Sequence, residues 1–144
     1  METKQTEDKE SMIQRTRKSF DSRMEDIKIL NELDRLENES NDYLNIVEKL
    51  KNELGNKEDY GLSIDYVEEG TFNDQREPYI RFQLSWGGPS EEFRIYATNE
   101  IEFWFLDWFT GEHINLGTIE ADEIFNFLGG SDFEELKSLY HKEQ

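Results

Sequence analysis

The chain carries two histidines, 34 carboxylates and no cysteine, and these side chains bound its chemistry. A histidine can serve as a general base or a metal ligand. His113 and His141 stand far apart, with no second histidine at metal spacing and no G-x-S-x-G motif beside either. His141 instead reads as a helix-end residue that complements the helix dipole. Without thiols there is no disulfide, no thiolate zinc site and no cysteine nucleophile. Adjacent carboxylates occur at Glu68-Glu69, Glu91-Glu92, Asp122-Glu123 and Glu134-Glu135. Neighbours on a strand point to opposite faces and neighbours on a helix diverge, so such pairs read as solvated charge. The D-x-[DN]-x-[DN]-G calcium spacing is absent, and Gly87-Gly88 lacks the lysine and following helix of a phosphate loop. The expectation is a protein with no catalytic residue, cofactor or metal.

What remains is charge and aromatic surface. The net charge is −18 and unevenly placed. Residues 1–58 hold 11 basic and 15 acidic residues, a net of −4; residues 59–144 hold 5 and 19, a net of −14. Between Arg94 and Lys137 there are ten acidic residues and no Lys or Arg. Such a field repels phosphates, so direct nucleic-acid binding is not expected, whereas a basic protein partner is. Glu112, Glu120, Asp122, Glu123, Asp132, Glu134 and Glu135 are the candidate partner-binding anions, because no base interrupts their segment.

The second feature is the run Ile101-Glu102-Phe103-Trp104-Phe105-Leu106-Asp107-Trp108-Phe109, with five aromatics between 103 and 109. As a strand it sets Ile101, Phe103, Phe105, Asp107 and Phe109 on one face, and Trp104, Leu106 and Trp108 on the other. Both faces are apolar, which predicts a central strand covered on both sides. The alternative is a Trp104/Trp108 patch anchoring a partner. A buried Asp107 needs a counter-charge. Arg81 and Arg94 on adjacent strands are the expected partners, forming a structural ladder that pins strand order.

The elements that must position these residues follow from periodicity. Residues 1–10 are polar and expected as a frayed tail. Phe20, Met24, Ile27, Leu30, Leu33 and Leu36 recur at helical spacing, and after a break at Ser40-Asn41-Asp42 so do Tyr43, Ile46, Val47, Leu50 and Leu54, ending at Gly55. Residues 11–58 are thus a helical hairpin or one long bent helix, whose stripe either packs within the chain or forms a homodimer. Residues 59–144 form an acidic α+β domain. Leu62, Ile64 and Tyr66 alternate, then Ile80, Phe82, Leu84 and Trp86, then Phe93, Ile95 and Ala97, then the aromatic run. Gly87-Gly88-Pro89-Ser90 is a turn, and Thr110-Gly111 ends the fourth strand. A four-stranded antiparallel meander is expected. Two short helices on one face follow, capped by Thr118 and by the box Ser131-Asp132-Phe133-Glu134. The start METKQTEDKE has no apolar core, and no apolar run reaches the roughly 18 residues of a spanning helix, so a cytoplasmic protein without membrane contact is expected.

The stretches RFQLSWGGPSEEFR (81–94) and EFWFLDWF (102–109) resemble a signature of small acidic proteins of phages, plasmids and integrative elements. The resemblance spans about residues 78–110 and brings no catalytic residues with it. It implies a mobile-element setting, in which small acidic proteins disarm nucleic-acid-binding defences of the host, anti-CRISPR proteins among them. The expected function is a non-enzymatic inhibitor acting in the host cytoplasm. It would fill the basic groove of a nucleic-acid-binding effector, such as a CRISPR nuclease, as a nucleic-acid mimic. Two alternatives share parts of this reading: a dimeric helical adaptor that binds a protein through its sheet aromatics, and an immunity protein or antitoxin against a basic toxin.

Overall fold

The computed structural model describes residues 2–39, 48, 52–55, 57–72, 75–107 and 110–141, with side chains of the first helix described from 11 to 36. Helix α1 spans Glu2–Glu39. A single 3-10 turn, Lys57–Asp59, precedes strands β1 (Ser63–Val67), β2 (Tyr79–Ser85), β3 (Ser90–Tyr96), β4 (Ile101–Asp107) and β5 (Thr110–Asn115). Helices α2 (Thr118–Leu128) and α3 (Phe133–Tyr140) follow. The five strands form one antiparallel meander in sequence order. The class is therefore α+β, with one strand more than the periodicity predicts. The extra strand, β5, offers a weak apolar alternation, Ile114 being its one large aliphatic residue. Its backbone ladder to β4 holds it, with Phe103 opposite Ile114 and Trp104 opposite His113.

Helix α1 forms because no Gly or Pro interrupts it and most of its positions are good helix formers. Its helical backbone starts at Glu2, ahead of the apolar rhythm, where the polar start was expected to fray. Met12, Phe20, Met24, Ile27, Leu30 and Leu33 are buried in the core. Thr16 lies in the same stripe and donates its hydroxyl to the Met12 carbonyl at 2.7 Å, which satisfies it without a tertiary partner. The stripe that a helix-mediated homodimer would use is thus buried within the chain, against β4, β5 and α2. Residues 52–54 are helical and Leu54 packs on the core. The rest of the expected second apolar face (Tyr43, Ile46, Val47, Leu50) lies outside the described residues.

Register assigns the two sheet faces. Phe82, Phe93, Phe103 and Ile114 line up across β2 to β5, and Ile80, Ile95 and Ile101 form the next row. These residues face α1, α2 and α3; Phe20 of α1 meets Phe103 with ring centroids 5.5 Å apart. The other face carries Asp65, Tyr79, Arg81, Glu92, Arg94, Tyr96, Glu102, Trp104 and His113. No described helix covers it. The expected double cover of the aromatic strand is therefore not seen among the described residues, whose helices all lie on the Phe face.

Local signals shift by one residue or less. The β2–β3 turn contains Gly87 and Gly88 at φ 75° and 57°, a left-handed pair that side-chain-bearing residues avoid. Trp86, expected to alternate into the core, enters this turn and is 75% exposed. Leu62 and Ala97 likewise lie outside the strands and are exposed. Gly117, not Thr118, is the N-cap of α2, and its N–H donates to Glu120 at 3.1 Å. Asp132, not Ser131, caps α3: it accepts from the Glu135 N–H at 2.9 Å, while Glu135 accepts from the Ser131 N–H at 2.7 Å. The cap lies one position later than expected, and the Glu135 side chain reaches the residue before it rather than closing a reciprocal box. Asn99, at φ 71° in the β3–β4 turn, ties that turn to α3 by accepting from the Phe133 N–H at 2.8 Å.

Candidate functional site: an acidic helix pair and an open sheet face

The seven candidate anions divide by what holds them. Glu120, Asp132 and Glu135 are locked by the backbone caps of α2 and α3. Glu123 is fixed from α1, because buried Asn31 donates to both its side chain (2.8 Å) and its backbone carbonyl (2.9 Å). Asp122 and Glu134 are exposed, and their carboxylates make no hydrogen bond or ion pair among the described residues. Glu112 sits apart, on β5 directly opposite Phe105 and so on the helix-covered side. Asp122 and Glu135 are brought together across a depression of about 490 Å³ at the α2–α3 junction, floored by Phe125. None of the seven has a Lys or Arg within 4.0 Å among the described residues.

Because Asp132 is both a cap and a candidate binding residue, the two roles need separating. Asp132→Ala is expected to cost about 1 kcal/mol of stability through the missing cap, whereas Asp132→Asn retains the cap and removes only the charge. Urea unfolding midpoints of the two variants check this. Weaker partner binding by both variants, with lower stability only in the first, assigns the charge to binding.

On the open face the candidate structural residues pair differently from expectation. Asp107 points toward the helix layer and takes Arg15 of α1 at 2.8 Å. The Arg15 guanidinium also lies 5.3 Å from the centre of the Phe105 ring. Arg81 instead pairs with Asp65 of β1 through two bonds of 3.1 and 2.7 Å. Arg94 takes the buried Glu92, two residues back on its own strand, at 2.8 Å. The expected Arg81–Arg94–Asp107 ladder fails because strand alternation puts the two arginines on the face opposite Asp107. Burial works against the charge of Arg94, but the Glu92 carboxylate outweighs it and drives the guanidinium pKa up.

Trp104 lies at the centre of this face, between Arg94, whose guanidinium is 4.2 Å from its ring centre, and His113, stacked at 4.6 Å. Its Nε1 donates to Glu102 at 3.0 Å, and the Tyr96 hydroxyl donates to the same oxygen at 2.6 Å. Burial and that bond to Glu102 push the Tyr96 phenol up, so it stays a donor. Trp104 therefore belongs to a pre-organised polar–aromatic layer, half-buried by its neighbours. Trp108 lies outside the described residues. Sequence reading missed Tyr79, Tyr96, Glu102 and His113 as members of this layer. The signal available was the polar phase of each strand, where tyrosine and arginine replace the usual small polar residues.

The described residues contain no group of three His, Cys, Asp or Glu side chains able to hold a metal. No helix among them is long and apolar enough to cross a membrane. No protein-family model, curated protein or solved structure matches the chain.

Proposed function

We propose that this protein is a non-enzymatic inhibitor from a phage or other mobile element, which occupies the basic groove of a host nucleic-acid-binding defence protein in place of nucleic acid. The observation that carries the reading is the state of the α2–α3 carboxylates. Glu120, Asp132 and Glu135 are immobilised by helix caps, and Asp122 and Glu134 stand free beside them, with no base within 4.0 Å of any among the described residues. Anions fixed in this way lose little side-chain entropy on meeting a cationic receptor. Helix neighbours three or four positions apart are about 5–6 Å apart, a scale suited to replacing successive phosphates.

The test is salt-dependent capture. Immobilised protein in host lysate should retain basic nucleic-acid-binding proteins at low ionic strength and release them as salt rises. Added duplex DNA or RNA should compete for the same proteins. The double variant Asp122→Lys/Glu134→Lys should lose this capture while keeping its unfolding midpoint, since both residues are exposed. Capture that survives high salt and the double reversal would sink the proposal. That outcome favours the adaptor reading, for which the exposed Trp86 and the Trp104 layer are the specific support. An immunity protein or antitoxin acting on a basic toxin would share the salt response but would not be competed by nucleic acid unless the toxin itself binds it.

A further inference from the structure

Where the loop before β2 rises over the open sheet face lies a cleft of about 460 Å³, lined chiefly by Phe72, Gln75, Arg76, Tyr79, Arg94 and Tyr96. It differs in character from the acidic helices: aromatic rings line it, and it carries one arginine unpaired among the described residues, Arg76, beside one carboxylate, Glu77. Half-buried Tyr96 forms one wall, backed by the buried Tyr79, whose ring stands 5.7 Å away at 56°. Arg94 lies 5.0 Å from the Tyr79 ring centre, its charge already met by Glu92. With Trp104 at 4.2 Å as well, its guanidinium is held between rings and adds little net charge at the base of the cleft.

The opposite wall, Phe72, is half exposed, yet its position is wired. The Gln75 side chain donates to the Glu68 and Glu77 carbonyls at 3.0 and 2.9 Å and accepts from the Phe72 N–H at 3.0 Å. Thr71 donates its hydroxyl to the Glu68 carbonyl at 2.6 Å. These bonds hold an apolar ring at the mouth of the cleft without burying it.

The charge pattern adds the second half of the ligand. Arg15, Arg17, Arg23, Arg35, Arg81 and Arg94 each have a carboxylate within 4.0 Å. Arg76 is the one arginine that has none among the described residues, in a chain of net charge −18, and it stands at this cleft. Glu77 at the rim and Glu92 beneath Arg94 oppose a second negative charge on anything bound here.

We infer that this cleft binds a small aryl carboxylate: a planar ring seated between Phe72 and Tyr96, above the base formed by Tyr79 and Arg94, with its single carboxylate on Arg76. Offset or edge contacts between rings and a charge-assisted bond to guanidinium supply the recognition.

Titration calorimetry on the full chain with indole-3-acetate, indole, tryptamine and phenyl phosphate tests this. Indole-3-acetate should bind saturably, about tenfold tighter than indole, as expected for one charge-assisted hydrogen-bonded pair at an exposed site. Tryptamine and phenyl phosphate should bind more weakly than the acetate. Arg76→Gln should bring the acetate down to the indole level and leave indole unchanged, whereas Phe72→Ala should weaken both. Both positions are exposed, so an unchanged circular dichroism melt accompanies each. The inference is overturned by the absence of saturable acetate binding, by tryptamine or phenyl phosphate binding as well as the acetate, or by an Arg76→Gln variant that binds like the parent.

Discussion

Replacing Phe103 by alanine should remove a large share of the protein's folding stability. Phe103 is fully buried at the centre of β4 and packs against Phe93 at 5.1 Å and Phe20 at 5.5 Å between ring centres. It thereby joins three elements: β3, β4 and α1. Truncating a buried Phe costs about 3–5 kcal/mol, transfer and cavity terms together. A domain of this size has a total stability of roughly 5–15 kcal/mol, so the loss consumes at least about a fifth of it. The urea midpoint of the variant should fall by roughly 2 M. Phe72→Ala, at an exposed position, is the matched control and should change stability by less than about 0.5 kcal/mol. Equal effects of the two substitutions would show that the sheet–helix interface is not the core.

The second large effect is expected at the ion pair that clamps α1 to the sheet. Glu91 of β3 faces the helix layer and accepts from Arg23 Nε at 2.8 Å, from the Ser19 hydroxyl at 2.6 Å and from the Ser85 hydroxyl at 3.3 Å. Arg23 also donates to the Tyr60 hydroxyl at 3.1 Å, and Tyr60 donates to Asp26 at 2.8 Å. Burial pushes the Tyr60 phenol up to about 12, helped by Asp26 and opposed by Arg23, so the hydroxyl keeps its proton throughout the neutral range. Arg23→Ala removes the counter-charge of a carboxylate that is only 13% exposed and should cost about 2–3 kcal/mol, less than a fully buried pair.

The pH response gives this prediction its sign. Burial raises the Glu91 pKa, but the bonds from Arg23, Ser19 and Ser85 together outweigh it, so the folded value lies below the ordinary 4.5. A carboxylate depressed in the folded state contributes stability that is full above its unfolded pKa and drains away as pH falls through the folded value. The stability gap between the parent and Arg23→Ala should therefore be constant near neutrality and narrow once the pH drops below 4.5. Urea titrations across that range measure it. A gap that stays constant into acid would mean that Arg23 acts through packing on Tyr60 alone, whose ring centre lies 5.6 Å from the guanidinium.

Asp107 and Trp104 show how far the sequence carries. Strand alternation alone correctly separates them onto opposite faces, because the two-residue period is a property of the backbone. It does not say what lies over each face. Arg81 and Arg94 are close in the chain and chemically suited to Asp107, yet Arg15, more than ninety positions earlier, is the residue that α1 delivers. The β5 strand was hidden for a related reason: an edge strand with one large aliphatic residue carries little periodic signal, and its existence rests on the ladder with β4.

The sequence by itself determined the α+β class, the α1 stripe from Phe20 to Leu33, the Gly87-Gly88 turn and the starts of α2 and α3 to within one residue. Each of these depends on steric rules and periodicities acting over a few neighbouring residues. Tertiary structure alone decided that all the described helices share the Phe face, that Asp122 and Glu135 meet across one depression, and that Phe72 and Arg76 stand beside Tyr79 and Tyr96. Those outcomes depend on which surfaces desolvate one another when distant segments pack, and no short window of residues contains that information.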